Sequence, residues 1–295
     1  MTQLKRLLAA TDLSAPARHA VERAAVVARA TGAQLDVVHV AASLSRLDEL
    51  RRLVANVPED VLDKIQEQTA MLMDALAITV RERHGVEVVT HVASGALLEA
   101  IEEKASAVDA DLLVLGARGA SMLRRLMLGS TAARLVSRFS RPILVVKRMP
   151  AAEYRRVLVP VDFSDASLPA VQIARAVAPA ARLFLLHAYE APFEGKMSVA
   201  GVEKKYVEDY RRRARTEAEA NMAGLCVKAA LPPRTATTEL VHGGAVQGIL
   251  EHEEDQDCDL IVIGRQGQSP MEDMLLGSVS RRVLAESEAD VLVVP

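Results

Sequence analysis

A glycine framework written twice constrains this chain more than any other feature. Gly116, Gly119, Gly129 and Ser130 recur as Gly264, Gly267, Gly277 and Ser278, each 148 residues later. Each set follows an apolar run, Asp111-Leu-Leu-Val-Leu-Gly116 in one copy and Asp259-Leu-Ile-Val-Ile-Gly264 in the other. Ile143-Leu-Val-Val146 matches Val291-Leu-Val-Val294 at the same offset, and Leu7 to Ser14 matches Val157 to Ser164 at an offset of 150. The second copy is therefore two residues shorter between its first motif and His187, the counterpart of His39. Two domains are predicted, 1–150 and 151–295, meeting at a short connection near residues 148–154. Each is long enough to bury its own core, and so short a connection predicts a packed tandem pair.

Strands are predicted near residues 4–10, 34–40, 86–93, 111–115 and 142–147, separated by amphipathic segments. They are apolar along their length rather than alternating, as a parallel sheet covered on both faces requires. Residues 15–30 read as a helix, with Ser14 as its cap, Pro16 in its first turn and Gly32 as its stop. Segments 41–85 and 189–234 read as long helical insertions, the first interrupted at Pro58. The expected fold class is α/β: two tandem doubly wound domains, Rossmann-like, each with a five-stranded parallel sheet.

Composition narrows the function. The chain has no Trp, only four Tyr and four Phe, and a formal charge of -3. Aromatic platforms for single-stranded nucleic acid and a cationic surface for phosphate backbones are both unexpected. No run of eighteen apolar residues and no signal-peptide core is present, so a cytoplasmic protein without membrane contact is expected. Cys226 and Cys258 lack the spacing of a redox or metal pair. The histidines show no ligand spacing, so no metal site is expected, and the acidic run from Glu251 to Asp257 reads as a solvated face. No GxxxxGK[ST], GxSxG or HExxH motif offers catalytic machinery.

In doubly wound sheets, ligands gather at the carboxyl ends of the strands. Asp12 and Asp162 end the first strand of each copy, Val40 and Ala188 the second, and the glycines follow the fourth. The glycines are expected to adopt positive φ and bring backbone N–H groups close to anionic oxygens. Gly129-Ser130-Thr131 and Gly277-Ser278-Val279 open helical segments whose first amides suit phosphate. The alternative is that the glycines serve only tight strand-to-helix turns.

These motifs are similar to those of tandem universal stress proteins of the ATP-binding type, over Leu4 to Val294. The resemblance implies an adenine-nucleotide site in each half. In the first, Thr11, Asp12 and Val40 would meet adenine or ribose, Gly116, Arg118 and Gly119 the ribose-phosphate region, and Gly129, Ser130 and Thr131 the phosphates. The second set is Val161, Asp162, Ala188, Gly264, Gln266, Gly267, Gly277, Ser278 and Val279. Gln266 in place of Arg118 removes a cation, and Arg124-Arg125 become Glu272-Asp273. Tighter ATP binding by the first half is one reading of that reversal, with the second half needing a divalent cation or favouring a less charged nucleotide. Solvated helix residues, or complementary charges meeting across the domain interface, are the others. The implied ligand is ATP, with ADP and AMP as alternatives and Mg2+ as an accompanying ion. The implied role is a stress-response regulator whose conformation or protein contacts follow nucleotide binding, with an unidentified protein partner and a homodimer expected. A slow ATP-hydrolysing switch and a scaffold with vestigial sites are the competing readings; at most weak ATPase activity is expected.

Overall fold

The computed structural model describes residues 3–41, 61–117, 129–190, 202–232, 235–267 and 276–295. The chain divides into two compact units, Gln3–Glu153 and Tyr154–Pro295. The turn between them is anchored on each side. Arg23 donates to the Ala152 carbonyl at 2.8 Å, and the buried Tyr154 hydroxyl donates to Asp290 Oδ2 at 2.7 Å.

The first half runs β1 (Arg6–Thr11), α1 (Ala15–Thr31), β2 (Gln34–Ala41), α2 (Val61–His84), β3 (Val88–Ser94), α3 (Leu97–Ala107), β4 (Leu112–Gly116), α4 (Ser130–Arg138) and β5 (Ile143–Val146). Its strands lie in the order β3-β2-β1-β4-β5, and each of the four neighbouring pairs is parallel. The second half repeats the pattern with β6 (Arg156–Pro160), α5 (Ser167–Val177), β7 (Arg182–Tyr189), α6 (Lys204–Lys228), β8 (Ala236–His242), α7 (Ala245–Asp255), β9 (Leu260–Gly264), α8 (Ser278–Glu286) and β10 (Asp290–Val294). Its order is β8-β7-β6-β9-β10, again all parallel. Each half is thus a doubly wound, five-stranded parallel domain.

The central strands are buried because helices cover both faces: Leu7, Leu8 and Ala9 of β1, and Leu158 and Val159 of β6, have no accessible surface. Ser14 caps α1 by accepting from the Ala17 N–H, Pro16 occupies its first turn, and Gly32 ends it with φ 72. The left-handed backbone there is the glycine's contribution. The segments read as insertions are instead the crossover connections that carry β2 to β3 and β7 to β8. Among the described residues, each crossover contains a long helix that buries one face, including Val207, Ala218, Met222 and Leu225 in α6. Pro58 lies outside the described residues.

The matched Asp111 and Asp259 have a structural task at the amino end of the sheets. Asp111 Oδ2 accepts from the Lys5 and Arg6 amides at 2.7 and 2.9 Å, and Asp259 accepts from the Arg155 and Arg156 amides at 2.8 and 3.1 Å. The acidic run in α7 is not wholly solvated. Glu253 is buried, and its Oε1 accepts from the Glu288 and Ala289 amides at 2.8 and 2.6 Å, holding the start of β10. Buried His252 beside it lies 3.1 Å from Glu239 Oε2.

Candidate functional site

In the second half the sheet's carboxyl edge begins where β6 ends. The Val161 amide still donates to the Leu186 carbonyl, and Asp162 then starts a tight turn. The Ser164 amide and hydroxyl both donate to Asp162 Oδ1, at 3.0 and 2.6 Å. The buried Ser167 hydroxyl donates to the same oxygen at 3.1 Å, and its oxygen accepts the Asp162 amide at 3.3 Å. Phe163, between the two hydrogen-bonded residues, is held at φ 63. That left-handed backbone costs a non-glycine residue roughly 1–2 kcal/mol. The Phe163 ring packs 4.3 Å from the His187 ring, and His187 Nδ1 lies 2.8 Å from the Val161 carbonyl.

The first half builds the same turn with fewer hydroxyls. Leu13 has φ 62, the Ser14 amide donates to Asp12 Oδ1 at 3.0 Å, and His39 Nδ1 lies 3.0 Å from the Thr11 carbonyl. Ala17 stands where the second half has Ser167, and the Ser14 oxygen is used to cap α1. Thr11 is buried, and its hydroxyl accepts from the Leu13 amide at 3.0 Å.

The described glycines close on this turn, but not through positive φ. Gly129 and Gly277 have φ of -62 and -60, and neither Gly264 nor Gly267 is left-handed. What Gly264, Gly267 and Gly277 provide is clearance. A Cβ on Gly264 would lie 2.8 Å from Ala166 Cβ, one on Gly267 would lie 2.5 Å from Asp162 Oδ2, and one on Gly277 would lie 3.2 Å from the Arg265 carbonyl. Three further bonds pin the loop. Arg265 N–H donates to Val294 O, Gly277 N–H to Arg265 O, and the Ser280 hydroxyl to Gly264 O at 2.7 Å. The first half repeats the backbone pair through Ala117 to Val146 and Gly129 to Ala117, both at 2.8 Å. No side chain caps α4 or α8, so their first-turn amides open toward the carboxyl edge without an intrahelical acceptor.

In the second half these pieces enclose a cavity of about 520 Å³. All of Val161, Asp162, Ala188, Gly264, Gln266, Gly267, Gly277, Ser278 and Val279 line it. So do Ser167, Glu190, Ser280 and Ile249, which the duplicated motifs do not mark. Ser167 and Ser280 escape a duplication search because their counterparts are Ala17 and Ala132. In the first half, Thr11 ends β1 and Asp12 follows it, Val40 lies near the end of β2, Gly116 ends β4, and Gly129, Ser130 and Thr131 open α4. Arg118, Gly119, Arg124, Arg125, Glu272 and Asp273 lie outside the described residues.

The charge of the second glycine loop also differs from its sequence reading. Gln266 replaces Arg118, yet Arg265 stands one residue earlier, where the first half has Ala117. The cation is displaced rather than lost. Arg265 lines a neighbouring cavity with Asp165 and Pro295, across a wall shared by Ser164, Ala166, Gln266 and Gly267.

The sequence profile of the universal stress protein family matches residues 3–147 and again 153–295. The chain belongs to the universal stress protein family. Among its curated relatives, universal stress protein YxiE of Bacillus subtilis is 30% identical over 146 residues, covering 48% of this chain and 99% of that protein. A universal stress protein of Mycolicibacterium smegmatis is 26% identical over 291 residues, 98% of this chain and 96% of that protein, so the tandem arrangement is shared along nearly the whole length. The crystal structure of a universal stress protein from Archaeoglobus fulgidus superposes with a TM-score of 0.70, covering 99% of both chains at 20% identity, which is a likeness of fold. Among the described residues, no helix of this universal stress protein is long and apolar enough to cross a membrane.

Proposed function

We propose that this universal stress protein is an adenine-nucleotide-binding regulator, with a site at the carboxyl edge of each half and with conformation or protein contacts that follow ligand occupancy. One observation carries the reading. In the second half, residues from the ends of β6, β7 and β9 and the start of α8 converge on one cavity, although up to 120 positions separate them in sequence, from Pro160 to Ser280. The cavity size lies in the range of small-molecule sites. Apolar Leu186, Ile249 and Ile263 offer walls for a flat base, Asp162 a fixed acceptor, and the α8 amides a partial positive charge for phosphate.

The arrangement reads as a holder. Asp162 is oriented by three donors on one oxygen, which suits recognition of a ligand N–H or O–H. Bound ligand stabilises the folded state as its concentration exceeds the dissociation constant, and that linkage is the basis for a signal. A scaffold without ligand draws on a different observation: Gly264, Gly267 and Gly277 each have a packing reason to be glycine.

Mass spectrometry of material released from gently purified protein, with calorimetric titration of wild type, Gly119→Val and Gly267→Val, separates the two. An adenine nucleotide bound at two sites, each abolished by its own substitution, supports the regulator. No released nucleotide and no heat with ATP, ADP or AMP supports the scaffold.

A further inference from the structure

The second-half cavity carries two carboxylates where a polyphosphate needs cations. Its charged lining consists of Asp162 and Glu190, and among the described residues no Lys or Arg lines it. Arg265, the one basic residue between Gly264 and Gly277 in sequence, lines the adjoining cavity instead. In sequence the rest of that spacer has Glu272 and Asp273, both outside the described residues, and no cation. The first half has the opposite composition: Arg118, Arg124 and Arg125 lie between Gly116 and Gly129 without an acid, and Ala42 stands where the second half has Glu190.

We infer that the second half takes an adenine nucleoside bearing at most one phosphate and rejects free ATP unless a divalent cation accompanies it. The inference rests on the nucleotide reading above and specifies its ligand class. The attractive element available to phosphate is the α8 N-terminus, whose amides amount to about half a positive charge. That is enough to favour one phosphate at the helix end beside Ser278. A triphosphate brings three to four negative charges, and those beyond the helix end gain no compensating cation among the described residues while meeting the field of Glu190 and Asp162. A neutral ribose avoids that conflict, because Asp162, fixed through Ser164 and Ser167, accepts from a hydroxyl without repulsion. Mg2+ would relieve the conflict by the same arithmetic, since the Asp162 and Glu190 carboxylates supply the oxygen donors that suit a hard cation. The two halves then respond to different members of one ligand series.

The test is calorimetry of adenosine, AMP and ATP in chelator, on the full-length chain carrying Gly119→Val to silence the first half. Gly119→Val with Gly267→Val is the control that assigns the remaining heat. Adenosine and AMP are expected to bind at least tenfold more tightly than ATP, with Mg2+ narrowing the gap. Exposed Glu190→Gln, made both on this background and in the wild-type chain, is expected to shift the ATP-to-adenosine affinity ratio several-fold toward ATP. ATP binding as tightly as AMP in chelator, or a ratio indifferent to Glu190→Gln, overturns the inference while the nucleotide reading stands. Wild-type protein that binds a nucleotide while the Gly119→Val chain binds none of the three compounds overturns the nucleotide reading of this half itself.

Discussion

Ser167 donates its hydroxyl to Asp162 Oδ1 at 3.1 Å, whereas the matching residue of the first half, Ala17, has no hydroxyl to give. The second half therefore holds its Asp162 carboxylate with a group the first half lacks. Hydrogen bonds to charged groups are worth about 1.5–3 kcal/mol. Ser167→Ala is expected to weaken ligand binding in the second half by about tenfold and to leave the first half unaffected, checked by calorimetry on the full chain.

The Gly264 contact with Ala166 predicts a compensating pair. Gly264→Ala drives a methyl to 2.8 Å from Ala166 Cβ, and overpacking of this kind costs about 1–3 kcal/mol. Adding Ala166→Gly vacates the space and should recover part of that loss. Gly224, inside α6 with nothing within 4 Å of its would-be Cβ, is the contrast: Gly224→Ala should stabilise by about 0.5–1 kcal/mol. Thermal unfolding of these three variants beside the wild type measures all three effects.

Glu253 predicts a larger loss. Its buried carboxylate satisfies two amides at the start of β10, so Glu253→Ala strands both donors. A destabilisation of about 3 kcal/mol is expected, and Glu253→Gln, which keeps an acceptor oxygen, should lose less. Hydrogen exchange at Glu288 and Ala289 should accelerate in the Ala variant first.

Cys258 gives a pH dependence of known sign. Burial, reinforced by the neighbouring Asp259 and Glu253 charges, pushes its thiol from 9.0 up to about 12. The folded state therefore keeps a proton that the unfolded chain releases near pH 9. This contribution to stability is full below pH 9 and declines as pH rises from 9 toward 12. Denaturant titrations across that range should show the decline, and Cys258→Ala should flatten it. At pH 8.5 an alkylating reagent should modify half-buried Cys226 ahead of Cys258.

Much of the architecture was legible because it rests on local chemistry. Apolar runs such as Leu112 to Leu115 and Leu260 to Ile263 became buried strands, and the Ser14 hydroxyl and the missing Cβ of Gly32 bounded α1. The residues that escaped act through tertiary neighbours. Left-handed backbone falls on Leu13 and Phe163, where side-chain identity gives no warning, rather than on Gly264, Gly267 and Gly277, the glycines expected to supply it. The purpose of Gly267 appears only beside Asp162, more than a hundred residues away in sequence. Glu253 sits in an acidic run whose composition suggests solvent, and only the arrival of β10 explains its burial. The long connections after β2 and β7 looked like insertions because the pairing of the following strand with the one before is not visible in the sequence.

His39 and His187 each set Nδ1 against a backbone carbonyl, at 3.0 and 2.8 Å. A carbonyl oxygen only accepts, so the neutral ring must keep its proton on Nδ1 and leave a lone pair on Nε2. The strand ends thereby fix a tautomer twice in one polypeptide. For a neutral His187, which lines the second-half cavity, the ring can greet a visiting N–H or O–H at Nε2 but has no proton there to offer a phosphate. Protonation would convert that same atom from acceptor to donor without moving the ring, so imidazole nitrogen shifts report directly which kind of neighbour the site is prepared to meet.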